Sequence, residues 1–101
     1  MALTAQTSVD GNVITISITG RFDFNLHEAF RRAYEQDGQP GTQYIVDLSR
    51  TEYLDSSALG MLLLLHEHAG GDDANIRIVH GNEAVQQILT TAKFDQLFTI
   101  A

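Results

Sequence analysis

The residues of this chain that could do chemistry are few, and the most suggestive are three in a row. Asp55, Ser56 and Ser57 stand just ahead of an apolar run from Ala58 to Leu65. A helix opening there sets two hydroxyls and a carboxylate among backbone N–H groups that lack intrahelical partners, at the positive end of the helix dipole. A phosphate esterified to a serine at that point gains from those donors and meets the repulsion of Asp55. It also adds ~1.5 to 2 negative charges to a small surface. That is the chemistry of a modifiable switch. The same three residues also make an ordinary N-cap, and the residue types alone leave both readings open.

Other constellations carry less. His66-Glu67-His68 places two metal-ligand types close together, but side chains two apart on a helix point ~200° from each other and do not share one ion. They read as polar residues near a helix end, where histidine suits the dipole. His27 and His80 have no ligand partner at a recognisable spacing. The chain has no cysteine, which excludes disulfides, thiolate zinc sites and cysteine nucleophiles, and suits a reducing cytoplasm. Neither a nucleophile elbow nor a P-loop nor a dinucleotide fingerprint is present. No catalytic, cofactor-binding or metal-binding residue is therefore assigned.

Thirteen acidic against six basic residues give a formal charge of −7, which argues against non-specific nucleic-acid binding and against stable contact with an anionic membrane. The stretch Met1 to Gly11 has neither the basic nor the apolar segment of a signal peptide. The apolar run is far below the roughly 18 to 20 residues needed to span a bilayer. The expectation is one soluble, cytoplasmic domain over residues 1–101.

The elements that must position Asp55-Ser56-Ser57 follow from patterning. Two short segments rich in Thr, Val and Ile flank the turn Val9-Asp10-Gly11-Asn12 and predict a hairpin. Its second strand alternates from Val13 to Thr19 and is expected to end at Gly20. Asn25 is placed to cap a helix with Ala29, Phe30, Ala33 and Tyr34 on one face, stopped by Asp37-Gly38-Gln39-Pro40-Gly41. Tyr44 to Leu48 predicts a buried parallel strand followed by a short loop. A second helix runs from Asp55-Ser56-Ser57 to Ala69, closed by Gly70-Gly71. Ile76 to His80 gives a strand, Glu83 to Thr91 a helix, and Leu97 to Ile100 a last strand.

The order is β-β-α-β-α-β-α-β. It implies an α/β domain with a mixed, mostly parallel sheet of four to five strands covered by about three helices. The second helix is apolar on nearly every face for two turns, whereas a helix lying on a small sheet needs one stripe. Either neighbouring elements cover the rest, which is the simpler reading, or part of the surface waits for a partner. Leu59 and Leu63 are expected in the core.

The segment YIVDLSRTEYLDSSALGMLLLL, residues 44–65, resembles the signature of the STAS domain, named for sulphate transporters and anti-sigma antagonists. Asp47-Leu48-Ser49 and Asp55-Ser56-Ser57-Ala58-Leu59-Gly60 match it in identity and spacing, and Gly20-Arg21-Phe22-Asp23 is similar to the family's Gly-x-Phe/Leu-Asp. Ala58 stands where many antagonists have Gly. The chain also ends at Ala101, where many members continue into another helix.

The resemblance implies a STAS fold and a non-enzymatic anti-sigma factor antagonist, also called an anti-anti-sigma factor. Unphosphorylated, it would bind an anti-sigma factor, often itself an ATP-dependent serine kinase, and so free a sigma factor. Phosphorylation of Ser56 would break that complex, and a PP2C-type phosphatase would restore it. The implied partner-binding residues are Asp23, Asp55, Ser56, Ser57, Leu59 and Gly60. The alternative is a STAS accessory subunit whose same helix docks on a transporter ATPase or permease.

Overall fold

In the computed structural model, residues 2–35 and 41–101 are described. A hairpin of β1 (Leu3–Thr7) and β2 (Val13–Phe22) leads into α1 (His27–Glu35). Then follow β3 (Gln43–Leu54), α2 (Ser56–His68), β4 (Asn75–Val79), α3 (Glu83–Thr91) and β5 (Thr99–Ile100). The five strands lie side by side in chain order. Only the first pair is antiparallel; the other three are parallel.

Period-two alternation builds the core. Ile14, Ile16 and Ile18 of β2 are buried, as are Tyr44, Val46 and Leu48 of β3 and Ile76 and Ile78 of β4. Register places Ile14 beside Tyr44 and Ile16 beside Val46, with Ile76 and Ile78 on the next strand, so these side chains share one face. The helices close the same cluster with Phe30 and Tyr34, with Ala58, Met61, Leu62 and Leu65, and with Val85 and Leu89. Among the described residues, no helix is long and apolar enough to cross a membrane.

Several expectations are corrected. β2 does not end at Gly20 but runs on to Phe22, because the strand absorbs Gly20, at φ +84°, in a register shift beside Arg21. β3 does not stop at Leu48. It continues to Leu54 as a ribbon with β2, pairing Thr19 with Arg50, Gly20 with Thr51, Arg21 with Tyr53 and Phe22 with Leu54. The buried positions there are Leu48, Thr51 and Leu54, a spacing of three. The two bulges break the alternation that would have betrayed a strand.

Asn25 is not a helix cap. Asp23 caps a short 3-10 turn, Phe24–Leu26, by accepting the Asn25 N–H at 3.0 Å, and α1 starts only at His27. Ala29 is therefore exposed, while Phe30, Tyr34 and half-buried Ala33 face the core. The stop at Asp37-Gly38-Gln39-Pro40 lies outside the described residues. The last strand is shorter than expected: a turn at Phe94–Gln96 leaves Leu97 exposed and only Thr99 and Ile100 paired with β4.

The second helix is the main correction. Ala58, Met61, Leu62 and Leu65 are buried and Leu59 is partly so, but Leu63 is 41% exposed and Leu64 47%. These residues lie ~100° apart per step, so a helix that turns Leu62 and Leu65 inward turns Leu63 outward. Leu62→Ala should cost ~2 to 5 kcal/mol in equilibrium urea unfolding, and Leu63→Ala under ~1 kcal/mol. Equal losses at the two positions would contradict this placement.

Candidate functional site

The candidate site is the start of α2, and the β2–β3 ribbon holds it in place. Thr51, buried in the ribbon, donates its hydroxyl to the Ile18 carbonyl at 2.8 Å. Ile18 lies at the first register shift, so this bond occupies a carbonyl where the strand pairing is interrupted. At the end of the ribbon the Asp55 N–H donates to the Phe22 carbonyl at 3.4 Å. The helix start is thereby tied to the residue that precedes Asp23.

Asp55 is the N-cap of α2, with extended backbone at φ −111°. One carboxylate oxygen accepts the Ala58 N–H at 3.1 Å and the Ser57 hydroxyl at 2.6 Å. Both bonds favour the ionised form, so the Asp55 pKa is held below the ordinary carboxylate value; Ser57 is the larger cause and the Ala58 amide the second. Ser57 is thus committed to Asp55. Ser56, the first helical residue, is exposed, and among the described residues its hydroxyl has no hydrogen-bond partner.

Asp23 lies beyond the other ribbon strand. Besides capping its turn, it faces the Arg21 guanidinium at 3.7 Å. Arg21 in turn stands over the Tyr53 ring, 5.3 Å from its centroid. Asp23, Asp55, Ser56 and Ser57 therefore lie at the same end of the β2–β3 ribbon. Leu59 and Gly60 follow within the next turn but face different ways: Leu59 leans toward α3, and Gly60 is exposed.

Sequence reasoning missed three parts of this region. The first is an apolar groove of about 590 Å³ between α2 and α3, lined by Tyr53, Leu59, Ala84, Ile88 and Ala92 among others. The second is the Arg21–Tyr53 contact at its border. The third is the outward pair Leu63 and Leu64. A signal existed for the last, since the all-round apolar helix had more hydrophobic faces than a small sheet can cover. The two histidines of α2 do not converge: His66 meets Phe98 edge-on and His68 packs on Tyr34.

The chain matches, over residues 5–99, the family model described as "Mlab, STAS domain". It is 52% identical over 101 residues to a STAS-domain containing protein of Pseudomonas aeruginosa strain UCBPP-PA14, with all of both chains covered. Among solved structures it is similar to an anti-sigma factor antagonist from Mycobacterium paratuberculosis, with a TM-score of 0.76 and 24% identity. That match covers 97% of this chain and 84% of the other. It is also similar to the anti-sigma factor antagonist SpoIIAA in its unphosphorylated form, with a TM-score of 0.73 and 14% identity over 99% and 87% of the two chains. At these identities the structural likeness speaks to the fold. The chain belongs to the STAS-domain family.

Two outcomes follow from the geometry. Because the folded Asp55 pKa is depressed, the stability it contributes is present at neutral pH and intact above the ordinary value of ~3.9. It is lost as pH falls through the lower folded value. A carboxyl NMR titration of Ser57→Ala should show the Asp55 midpoint rising toward the ordinary value; an unmoved midpoint would remove Ser57 as the cause. Gly60 has no positive φ, and a Cβ added there meets nothing within 4 Å. Gly60→Ala should therefore raise stability by about 0.5 to 1 kcal/mol in urea unfolding, and a loss of stability would mean that the fold needs the glycine.

Proposed function

We propose that this STAS-domain protein is an anti-sigma factor antagonist that holds an anti-sigma factor while Ser56 is unmodified and releases it when Ser56 is phosphorylated. The observation that carries the reading is the division of labour at the start of α2. Asp55 is spent on Ser57 and on the Ala58 amide. Ser56 is left as the exposed hydroxyl that a kinase can reach without dismantling the cap.

The partners are an anti-sigma factor, which in this family is often the kinase itself, and a PP2C-type phosphatase that resets the switch. The site has the composition of a docking surface. Asp23, paired with Arg21, and Asp55 offer charge, and Leu59, Leu63 and Leu64 offer apolar area. Ser56 is the group that is modified, so the protein acts as a substrate of kinase and phosphatase. The compartment consistent with such partners is the cytoplasm.

Phosphorylation acts on this surface in a direct way. A phosphate at Ser56 adds ~1.5 to 2 negative charges next to Asp55 on a chain whose formal charge is already −7. Burying that dianion in a partly apolar interface costs its hydration unless cations on the partner meet it.

The test is a phosphosite map of the protein recovered from its own cells, with captured partners identified in the same sample. Phosphate at Ser56, together with an anti-sigma factor kept by Ser56→Ala and lost by Ser56→Asp, is the expected result. Absence of phosphate in all growth conditions, with one partner bound equally by both variants, would replace the switch with a constitutive docking subunit.

A further inference from the structure

The sheet has two edges, and the chain treats them differently. At one edge β5 pairs with β4 through Thr99 and Ile100 alone, and the Ala101 N–H donates to the Ile78 carbonyl at 2.9 Å. Shortness of this kind blunts an edge. At the other edge β1 runs for five residues and pairs only with β2.

That pairing fixes which backbone groups β1 leaves over. The Thr19 N–H donates to the Ala2 carbonyl at 2.7 Å, and the Ser8 N–H to the Val13 carbonyl at 2.8 Å. Antiparallel partners exchange their bonds at every second residue. Ala2, Thr4, Gln6 and Ser8 therefore aim their N–H and C=O groups at β2. Leu3, Ala5 and Thr7 aim theirs away from it, and among the described residues no protein group bonds to them. Ala5 and Thr7 are exposed and Leu3 is half-buried.

An edge left open in this way normally carries a guard: a lysine, a proline, an inward charge or a bulge. Leu3-Thr4-Ala5-Gln6-Thr7 has none of these, and its register with β2 is unbroken. Charge and symmetry name what fits there. The chain as a whole stands at −7, yet β1 is uncharged. Over it packs α1, which balances Glu28 and Glu35 against Arg31 and Arg32. A second copy brought to this flank meets no excess of like charge. The strand is also complementary to itself about a two-fold axis at Ala5. Leu3 of one copy then faces Thr7 of the other, and Ala5 faces Ala5. Each facing pair exchanges both bonds, so every outward N–H and C=O of these residues gains a partner.

We propose that β1 is a self-association edge: two copies join β1 to β1 in this register, and one continuous sheet runs through both. The contact lies outside the start of α2 and does not depend on the reading given under Proposed function. The shared edge is small, so the dimer is weak, with a Kd on the order of tens of micromolar. Salt strengthens it by screening the long-range repulsion between two chains of charge −7.

The test is sedimentation velocity on the purified full chain, from about tenfold below to about tenfold above that Kd. Wild type should pass from monomer to dimer across the range. Ala5→Pro removes an outward N–H and none that β2 uses, a change that an edge strand accepts. It should stay folded by urea unfolding and monomeric throughout. Disulfides read the register separately, since the chain has no cysteine of its own. Under a mild oxidant Ala5→Cys should crosslink readily, because directly facing residues lie ~5.5 Å apart between Cα atoms, within disulfide range. Thr7→Cys faces Leu3 of the other copy and lies about 14 Å from its own counterpart. It should crosslink ~tenfold or more slowly. Wild type that stays monomeric over the whole range, or a folded Ala5→Pro that still dimerises, would overturn the β1 edge. Equal crosslinking at the two positions would overturn the pairing as well.

Discussion

Everything at the functional end of this molecule depends on β2 and β3 staying paired beyond the point where β4 stops. β4 accompanies β3 only as far as Asp47; beyond it β3 pairs with β2 as far as Leu54, and the Asn82 amide at the cap of α3 donates to the Thr51 carbonyl at 3.3 Å. Two irregularities interrupt that pairing, and an interrupted parallel ladder leaves backbone groups that must find other partners. Thr51 supplies one by donating its buried hydroxyl to Ile18. Phe22 and Leu54, paired at the ribbon's end and both buried, pin it to the core. Without this ribbon Asp55 would have no fixed neighbour on the other strand, and Asp23 and Ser56 would belong to unrelated loops.

The helix that leaves the ribbon is asked to do two things with one surface. Its inner residues Ala58, Met61, Leu62 and Leu65 close the core cluster shared by the whole sheet. Its outer Leu63 and Leu64 remain without cover, an arrangement that adds little to the stability of the isolated chain. The cap is divided in a similar way. Asp55 and Ser57 serve the helix, and Ser56 between them serves nothing inside it. Structural and available groups alternate within three residues, which allows chemistry at one of them to leave the scaffold intact.

Much of this was legible in the sequence, and the failures are instructive. Ile14, Ile16 and Ile18 announced β2 by their period of two, and the short apolar run from Tyr44 to Leu48 announced β3 as a buried strand. The residues from Ser49 to Leu54 read as a loop, because bulges turn a spacing of two into a spacing of three. Asp55-Ser56-Ser57 could be located as a helix start but not resolved into roles. Which hydroxyl Asp55 takes is decided by rotamer and distance, and neither is written in residue types. Leu63 was misplaced for a related reason. When both Leu62 and Leu63 are apolar, periodicity cannot say which one faces inward, and only the sheet beneath the helix settles it. The groove with Tyr53 and Ile88 joins residues 35 apart in the chain, beyond the reach of any local pattern.

The Thr51–Ile18 bond spans 33 residues, and this has a meaning for the life of the chain before it is folded. A contact so distant in sequence carries the entropic cost of closing the loop that holds α1. Until it forms, Ser56 is one serine among several on a mobile strand, with no Asp23 nearby and no ordered helix face beside it. The surface that a partner would read comes into being together with the finished domain. Incomplete copies, whether newly made or partly unfolded by stress, lack the surface altogether. The surface around Ser56 is therefore a property of the assembled domain, and a linear copy of residues 55–65 would not carry it.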